Sequence, residues 1–360
     1  MDGVAVQKRV VIISRVKRNP YVLLLCAALR QPGLNVQPTV AEQFSLGWMW
    51  QHRSQVDVLH IHWLELLFLR PTLWRSLKRW VSVMLGLVLA RLLGVCVVYT
   101  VHNIQQHEEQ RVGLVGWGNR VIFALAGAVH VHDGQTAEVL RRCWGRKRGI
   151  YVIPHGNYVT AYRNDCSRAE ARRHLGLAEG AFIYLFLGRV RPYKGVEELI
   201  AAFRVLDDPG AVLLVAGEVH DPGDDQRLRE LAGGDERVHL RLEFVGDDEV
   251  QIYLNASDIC VLPYRHVTTS GAAILSFSFG VPILASRMGC FVDLVGEIGE
   301  RGVLYDPAAK NGLADALCGA RRRDLGAMRA ACAEYARRFD WNDIARQHAA
   351  MYEQCALDKF

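Results

Sequence analysis

The chain has 360 residues, 51% of them hydrophobic and 22% charged, with a formal net charge of +5. That length exceeds what one hydrophobic core usually fills, and the composition excludes intrinsic disorder, so two folded domains are expected. The charge is uneven: 19 Lys and Arg stand against 8 Asp and Glu over residues 1–150, and 24 against 30 over 151–360, so the first part is +11 and the second −6.

Taken in chain order, the opening MDGVAVQKRVVIIS lacks the apolar core and cleavage site of a secretory leader, and the apolar run 81–90 is too short to span a bilayer. Short Val/Ile/Leu-rich runs then alternate with helical patterns, as in βα units winding a parallel sheet covered on both faces. Strands are expected over 9–14, 56–62, 95–102, 128–132 and 151–155, with helices near 20–30, 73–93 and 135–144. The polar stretch 157–170 reads as a linker, and the scheme resumes with strands over 182–188, 212–216, 239–244, 259–263, 282–285 and 302–304. The chain closes on WNDIARQHAAMYEQCA, an amphipathic helical pattern that His348 interrupts. Nine cysteines without a CxxC pair argue against a zinc ribbon, a redox dithiol or a dense disulfide framework, so a cytoplasmic, reducing setting is expected.

In open parallel sheets, ligands sit outside the carboxyl ends of strands. Histidines mark three such ends: His60 and His62 in VLHIHW, His102 in VVYTVHN, and His130 and His132 in AVHVHD. A His-x-His pair on a strand shares one face, which would suit a metal, but strand-end histidines more often bond backbone groups, and no metal is expected. Later, FLGRVRPYKG places Gly188, Arg189 and Lys194 around a turn at a strand end, a device for holding a diphosphate. Thr268, Thr269, Ser270 and Gly271 stand directly before an apolar helix, whose N-terminus favours an anion.

These segments resemble the nucleotide-sugar-dependent glycosyltransferases of the GT-B fold, especially the large retaining group with a GR-x(4)-KG loop. The matching pieces are GRVRPYKGVEELIAAF, LLVAGE, VGDDEVQIYLNASDICVLPY, the helix start ending in GVPILAS, TVHN and VIPHGN. The resemblance implies two Rossmann-like doubly wound α/β domains facing a cleft: 1–160 binding the acceptor, 161–339 binding the nucleotide sugar, and 340–360 a helix returning to the first domain. It implies that Arg189 and Lys194 neutralise the donor diphosphate and that Ser270 and Gly271 hold it. Glu243, Phe244 and Val245 would border the base, and His102, beside Asn103, would touch the transferred sugar. The group usually carries two glutamates eight residues apart where this chain has Val267 and Leu275, so Thr268, Thr269 or Ser276 are expected to supply sugar and ribose contacts.

The expected reaction moves a sugar from a nucleoside-diphosphate donor to a carbohydrate or lipid-linked acceptor, with retention and without a metal or other cofactor. An inverting course would need a general base, for which Glu65, His107, Glu108 and Asp133 are candidates. A nucleotide-sugar epimerase and a non-catalytic sugar-nucleotide binder stay open at this point. The segment 70–91, with Arg70, Arg75, Lys78 and Arg79 beside Trp74 and Trp80, reads equally as a buried helix or as one lying on an anionic membrane at its inner face. No nucleic-acid reader motif is present, and no nucleic-acid partner is expected.

Overall fold

A computed structural model describes residues 7–16, 19–102, 112–219 and 223–357. The chain divides into two compact units, 1–156 with 339–360, and 157–338. In the first unit six strands form one parallel sheet: β1 (Lys8–Ile13), β2 (Val36–Ala41), β3 (Val58–His62), β4 (Cys96–Thr100), β5 (Ala128–Val131) and β6 (Ile150–Val152), in the order β2-β1-β3-β4-β5-β6. Apolar residues occupy both faces of β3 and β4, so helices must cover both.

The period-two alternation of a strand decides what each face meets. Leu59, Ile61, Val97, Tyr99, Val129 and Val131 point into a core closed by helices Leu46–His52, Leu73–Leu92 and Val112–Leu125. The opposite face carries Val58, Cys96, Val98 and Ala128, and it is closed by helices Tyr21–Leu29 and Trp341–Leu357. Trp341, Ile344, Ala345, Met351 and Tyr352 of that last helix are buried there, which accounts for its amphipathic pattern. Cys355 forms a disulfide with Cys96, 259 residues earlier, a pairing the scattered cysteines gave no sign of.

The second unit repeats the plan with β7 (Phe182–Leu187), β8 (Ala211–Ala216), β9 (Val238–Arg241), β10 (Ile259–Leu262), β11 (Ile283–Ser286) and β12 (Gly302–Tyr305), all parallel, in the order β12-β11-β10-β7-β8-β9. Two differences from the sequence reading have simple causes. β2 went unread because Pro38 interrupts a polar run; the strand lies at the sheet edge, where a residue without an N–H is tolerated. β9 stops at Arg241, which leaves Glu243, Phe244 and Val245 in the loop that follows.

Candidate functional site

In the second unit β7 has β8 on one side and β10 on the other, so successive connections diverge between β7 and β10. In open parallel sheets a ligand-binding crevice forms at such a switch point, outside the carboxyl ends of the strands. The loop leaving β7 and the segment leaving β10 flank it. Gly188 follows β7 directly with φ 130°, a region that favours glycine, and a β-carbon there would lie 3.5 Å from Lys194 Nζ. The Lys194 ammonium is thus held over the strand end, within 5.9 Å of the Phe186 ring centre and 5.5 Å of that of Tyr264. Gly195, at φ 67°, packs against the Pro263 carbonyl so closely that no side chain fits, which ties this loop to the end of β10.

Arg189 leaves the same strand end and donates from Nη2 to Glu218 Oε2 at 2.8 Å, both groups about 40% exposed. Glu218 was not singled out in the sequence, although its place just beyond β8, next to β7, is the signal that finds it. After β10, Ser270 caps helix Gly271–Ser278, its Oγ accepting from the Ala273 N–H at 3.2 Å. Thr269 Oγ1 is buried with no hydrogen-bond partner among the described residues, and Thr268 and Val267 are half-buried beside it. Ser276 does not fill the role suggested for it: it is fully buried and donates to the Val281 carbonyl at 2.8 Å, holding the end of its own helix. Glu243 and Phe244 are exposed and Val245 half-buried, two strands away from β7.

In the first unit the alternation that faces Val58 toward the terminal helix also turns His60, His62, Thr100, His130 and His132 that way. A continuous hydrogen-bonded chain results, and its direction follows from its end. The Ile153 carbonyl can only accept, so His130 Nε2–H donates to it at 2.8 Å, which leaves His130 Nδ1 as an acceptor. Thr100 Oγ1–H then donates to that nitrogen at 2.9 Å, His60 Nε2–H donates to Thr100 at 2.7 Å, and the Tyr352 hydroxyl donates to His60 Nδ1 at 2.8 Å. Burial pushes the imidazoles down, His60, His130 and His132 well below the ordinary range, His62 to about 3, and His155 and His348 to about 4. The array is neutral near pH 7. Among the described residues no group of three or more His, Cys, Asp or Glu is placed to hold a metal ion.

His102 follows β4, half-buried, against His62 and Trp63. Asn103, His107 and Glu108 lie outside the described residues. Of the other candidate bases, Glu65 is buried, and Asp133 caps helix Gly134–Cys143 by accepting from the N–H and hydroxyl of Thr136.

Comparison with known proteins bears directly on this arrangement. Residues 167–339 match the family profile described as Glycosyl transferases group 1. Over 312 residues the chain is 27% identical to the GDP-mannose:glycolipid 4-beta-D-mannosyltransferase of Xanthomonas campestris pv. campestris, covering 83% of this chain and 80% of that protein. Its fold is similar to sucrose-phosphate synthase from Thermosynechococcus elongatus, with a TM-score of 0.74 at 22% identity over 96% of this chain and 98% of that one. The chain is a glycosyltransferase of the GT-B fold. Anabaena HepE in complex with UDP-glucose shares that fold with this glycosyltransferase, with a TM-score of 0.73 at 18% identity over 96% of this chain and 99% of that one. The two six-stranded parallel sheets of this glycosyltransferase are the α/β architecture expected from its sequence.

Proposed function

We propose that this glycosyltransferase moves a hexose from a nucleoside-diphosphate sugar, bound by the second unit, to an acceptor hydroxyl bound by the first. The observation that carries this reading is the pairing of the Lys194 ammonium and the capped helix start at Ser270 on the two sides of the β7/β10 switch point. A diphosphate between them meets a cation, the positive end of a helix and, once Arg189 turns from Glu218, a second cation. Those groups stabilise the charge that develops on the leaving diphosphate as the anomeric C–O bond breaks. The acceptor oxygen forms the new bond to that carbon and its proton passes to the departing phosphate oxygen, a course that gives retention and needs no metal. His102 touches the sugar, and Glu243, Phe244 and Val245 border the base.

The Xanthomonas relative is named for GDP-mannose and a glycolipid, and HepE was solved with UDP-glucose. GDP-mannose, UDP-glucose and a lipid-linked acceptor are therefore the first substrates to try. A lipid acceptor accords with the first unit. Helix Leu73–Leu92 leaves Leu73, Trp74, Leu77, Val81, Leu85 and Leu92 exposed, within about a 120° arc at 100° per residue. Lys78 and Arg91 lie at the two edges of that arc, and the surrounding sequence is +11, so an anionic lipid surface is the partner we assign to it. No helix among the described residues is long and apolar enough to cross a membrane.

The test is a thermal-shift panel of UDP-, GDP-, ADP- and dTDP-sugars, followed by incubation of the stabilising donor with a lipid-linked saccharide. Release of nucleoside diphosphate with a glycosylated acceptor supports the proposal, and the anomeric configuration of the product is read by NMR. Conversion of the donor to an epimer without acceptor, or donor binding with neither transfer nor hydrolysis, would overturn it.

A further inference from the structure

His62, at the carboxyl end of β3, and His102, just beyond β4, meet with their ring planes tilted by 38°, His62 Nδ1 lying 2.9 Å from His102 Nε2. His62 is fully buried and His102 half-buried. Burial holds both rings below the ordinary range, so near pH 7 each carries one ring proton. The shared contact then has two possible directions. In one, His102 Nε2–H donates and His62 carries its own proton on Nε2. In the other, His62 Nδ1–H donates and His102 carries its proton on Nδ1.

The far nitrogen of His62 decides between them. His62 Nε2 is buried with no hydrogen-bond partner among the described residues. A buried N–H without an acceptor is rare in folded proteins, and an unpartnered acceptor is the lesser fault. The proton of His62 therefore sits on Nδ1. A second observation concerns the next residue. Trp63 adopts φ 48° and ψ 62°, a left-handed conformation that a bulky side chain avoids, and its ring stacks on His102 with centroids 3.8 Å apart and planes 5° apart. The strained Trp63 thus holds its ring against His102, the residue that also receives the His62 hydrogen bond.

We infer that His62 and Trp63 are positioning residues that present His102 to the transferred sugar as an Nδ1–H donor. His62 fixes the tautomer and Trp63 fixes the ring plane. The ligand atom that suits His102 is then an oxygen able to accept, a hydroxyl or ring oxygen of the sugar. His102 in this tautomer offers no free basic nitrogen, so it does not take the acceptor's proton. The inference rests on the reading above that His102 touches the sugar.

The experiment uses the full chain with 15N-labelled histidine. Long-range 1H–15N correlation reports the tautomer of His102, whose signals are assigned by their loss in His102→Gln. The expected wild-type spectrum shows Nδ1–H. His62→Asn, which retains an amide donor near the Nδ1 position, should keep that tautomer and stay within about threefold of wild-type kcat. His62→Asp, which offers an acceptor, should move the proton to Nε2 and lower kcat at least tenfold. Trp63→Ala should keep the tautomer and lower kcat. An Nε2–H tautomer in the wild type overturns the inference, as does equal loss of kcat in folded His62→Asn and His62→Asp. Unchanged kcat in Trp63→Ala removes Trp63 from it. Where His62→Asp does not fold, the wild-type spectrum decides alone. Full turnover in His102→Gln would instead defeat the sugar-contact reading, and the tautomer would still be measured independently of it.

Discussion

Lys194→Met tests the donor site most directly, because methionine keeps the unbranched stem of lysine and removes only its charge. In the structure the ammonium is held over Gly188 and two aromatic rings, at the edge of a strand end. Its loss should take one charge-assisted hydrogen bond from the diphosphate, about 1.5–3 kcal/mol, which is roughly a 10- to 150-fold weaker Kd. The stem still covers Phe186 and Tyr264, so the melting temperature should move by no more than about 2 °C, the consequence of a few tenths of a kcal/mol in a domain of this size. Isothermal titration with the nucleoside diphosphate, and separately with the nucleoside alone, measures the effect. Affinity for the diphosphate should fall and affinity for the nucleoside should hold. Equal affinity of wild type and variant for the diphosphate would refute the assignment of this crevice to the donor.

Other perturbations follow from the first unit and from the charge supply at the crevice. Tyr352→Phe removes the donor to His60 Nδ1 and leaves a buried acceptor without its partner, a loss of about 1–3 kcal/mol in chemical denaturation that an unchanged midpoint would contradict. The buried histidines take up protons only far below 6.5, whereas an unfolded chain takes them up near it. Stability is therefore full above about pH 6.5 and declines as pH falls toward 4, at up to about 1.4 kcal/mol per pH unit for each such histidine; denaturation at pH 7.5, 6 and 5 should show this. Transfer should survive EDTA, since Arg189, Lys194 and the helix start supply the positive charge at the leaving group; loss that returns with manganese would count against this mechanism. Lys78 and Arg91, at the edges of the exposed arc, changed together to Glu should abolish sedimentation with anionic liposomes at low salt, and equal recovery of variant and wild type in the supernatant would remove the lipid surface from the proposal.

Much of the fold could be read from residue type and spacing, because parallel strands buried on both faces leave runs such as VVII, CVVYT, FIYLFL and AVLLVA that few other structures produce. β2 could not, since an edge strand holding Pro38 has neither the run nor the alternation. The Gly188–Lys194 loop was legible through its glycines and cations. The roles of Glu218 and Ser276 were not: one depends on which strand lies beside β7, the other on a helix end folding back on Val281. The His-x-His spacing revealed that pairs share a face. That three strands and the terminal helix would join them into one directed chain depended on strand order and on Tyr352, almost 300 residues from His60.

The first unit is assembled from two separated pieces of chain, with the whole of 157–338 between them. During synthesis the sheet face carrying Val58, Cys96, Val98 and Ala128 therefore leaves the ribosome with helix Tyr21–Leu29 but without its last covering helix, and that part of it stays uncovered while the entire second unit is made. At 5–20 residues per second the interval from residue 156 to 339 lasts roughly 10–40 s. The half encoded second has every element it needs during that time and can finish first. The half encoded first closes only when Trp341–Leu357 arrives, and the Cys96–Cys355 bond then records that closure. Chains released after residue 339, which lack helix Trp341–Leu357, should accordingly show a protease-resistant second unit and a protease-sensitive first one.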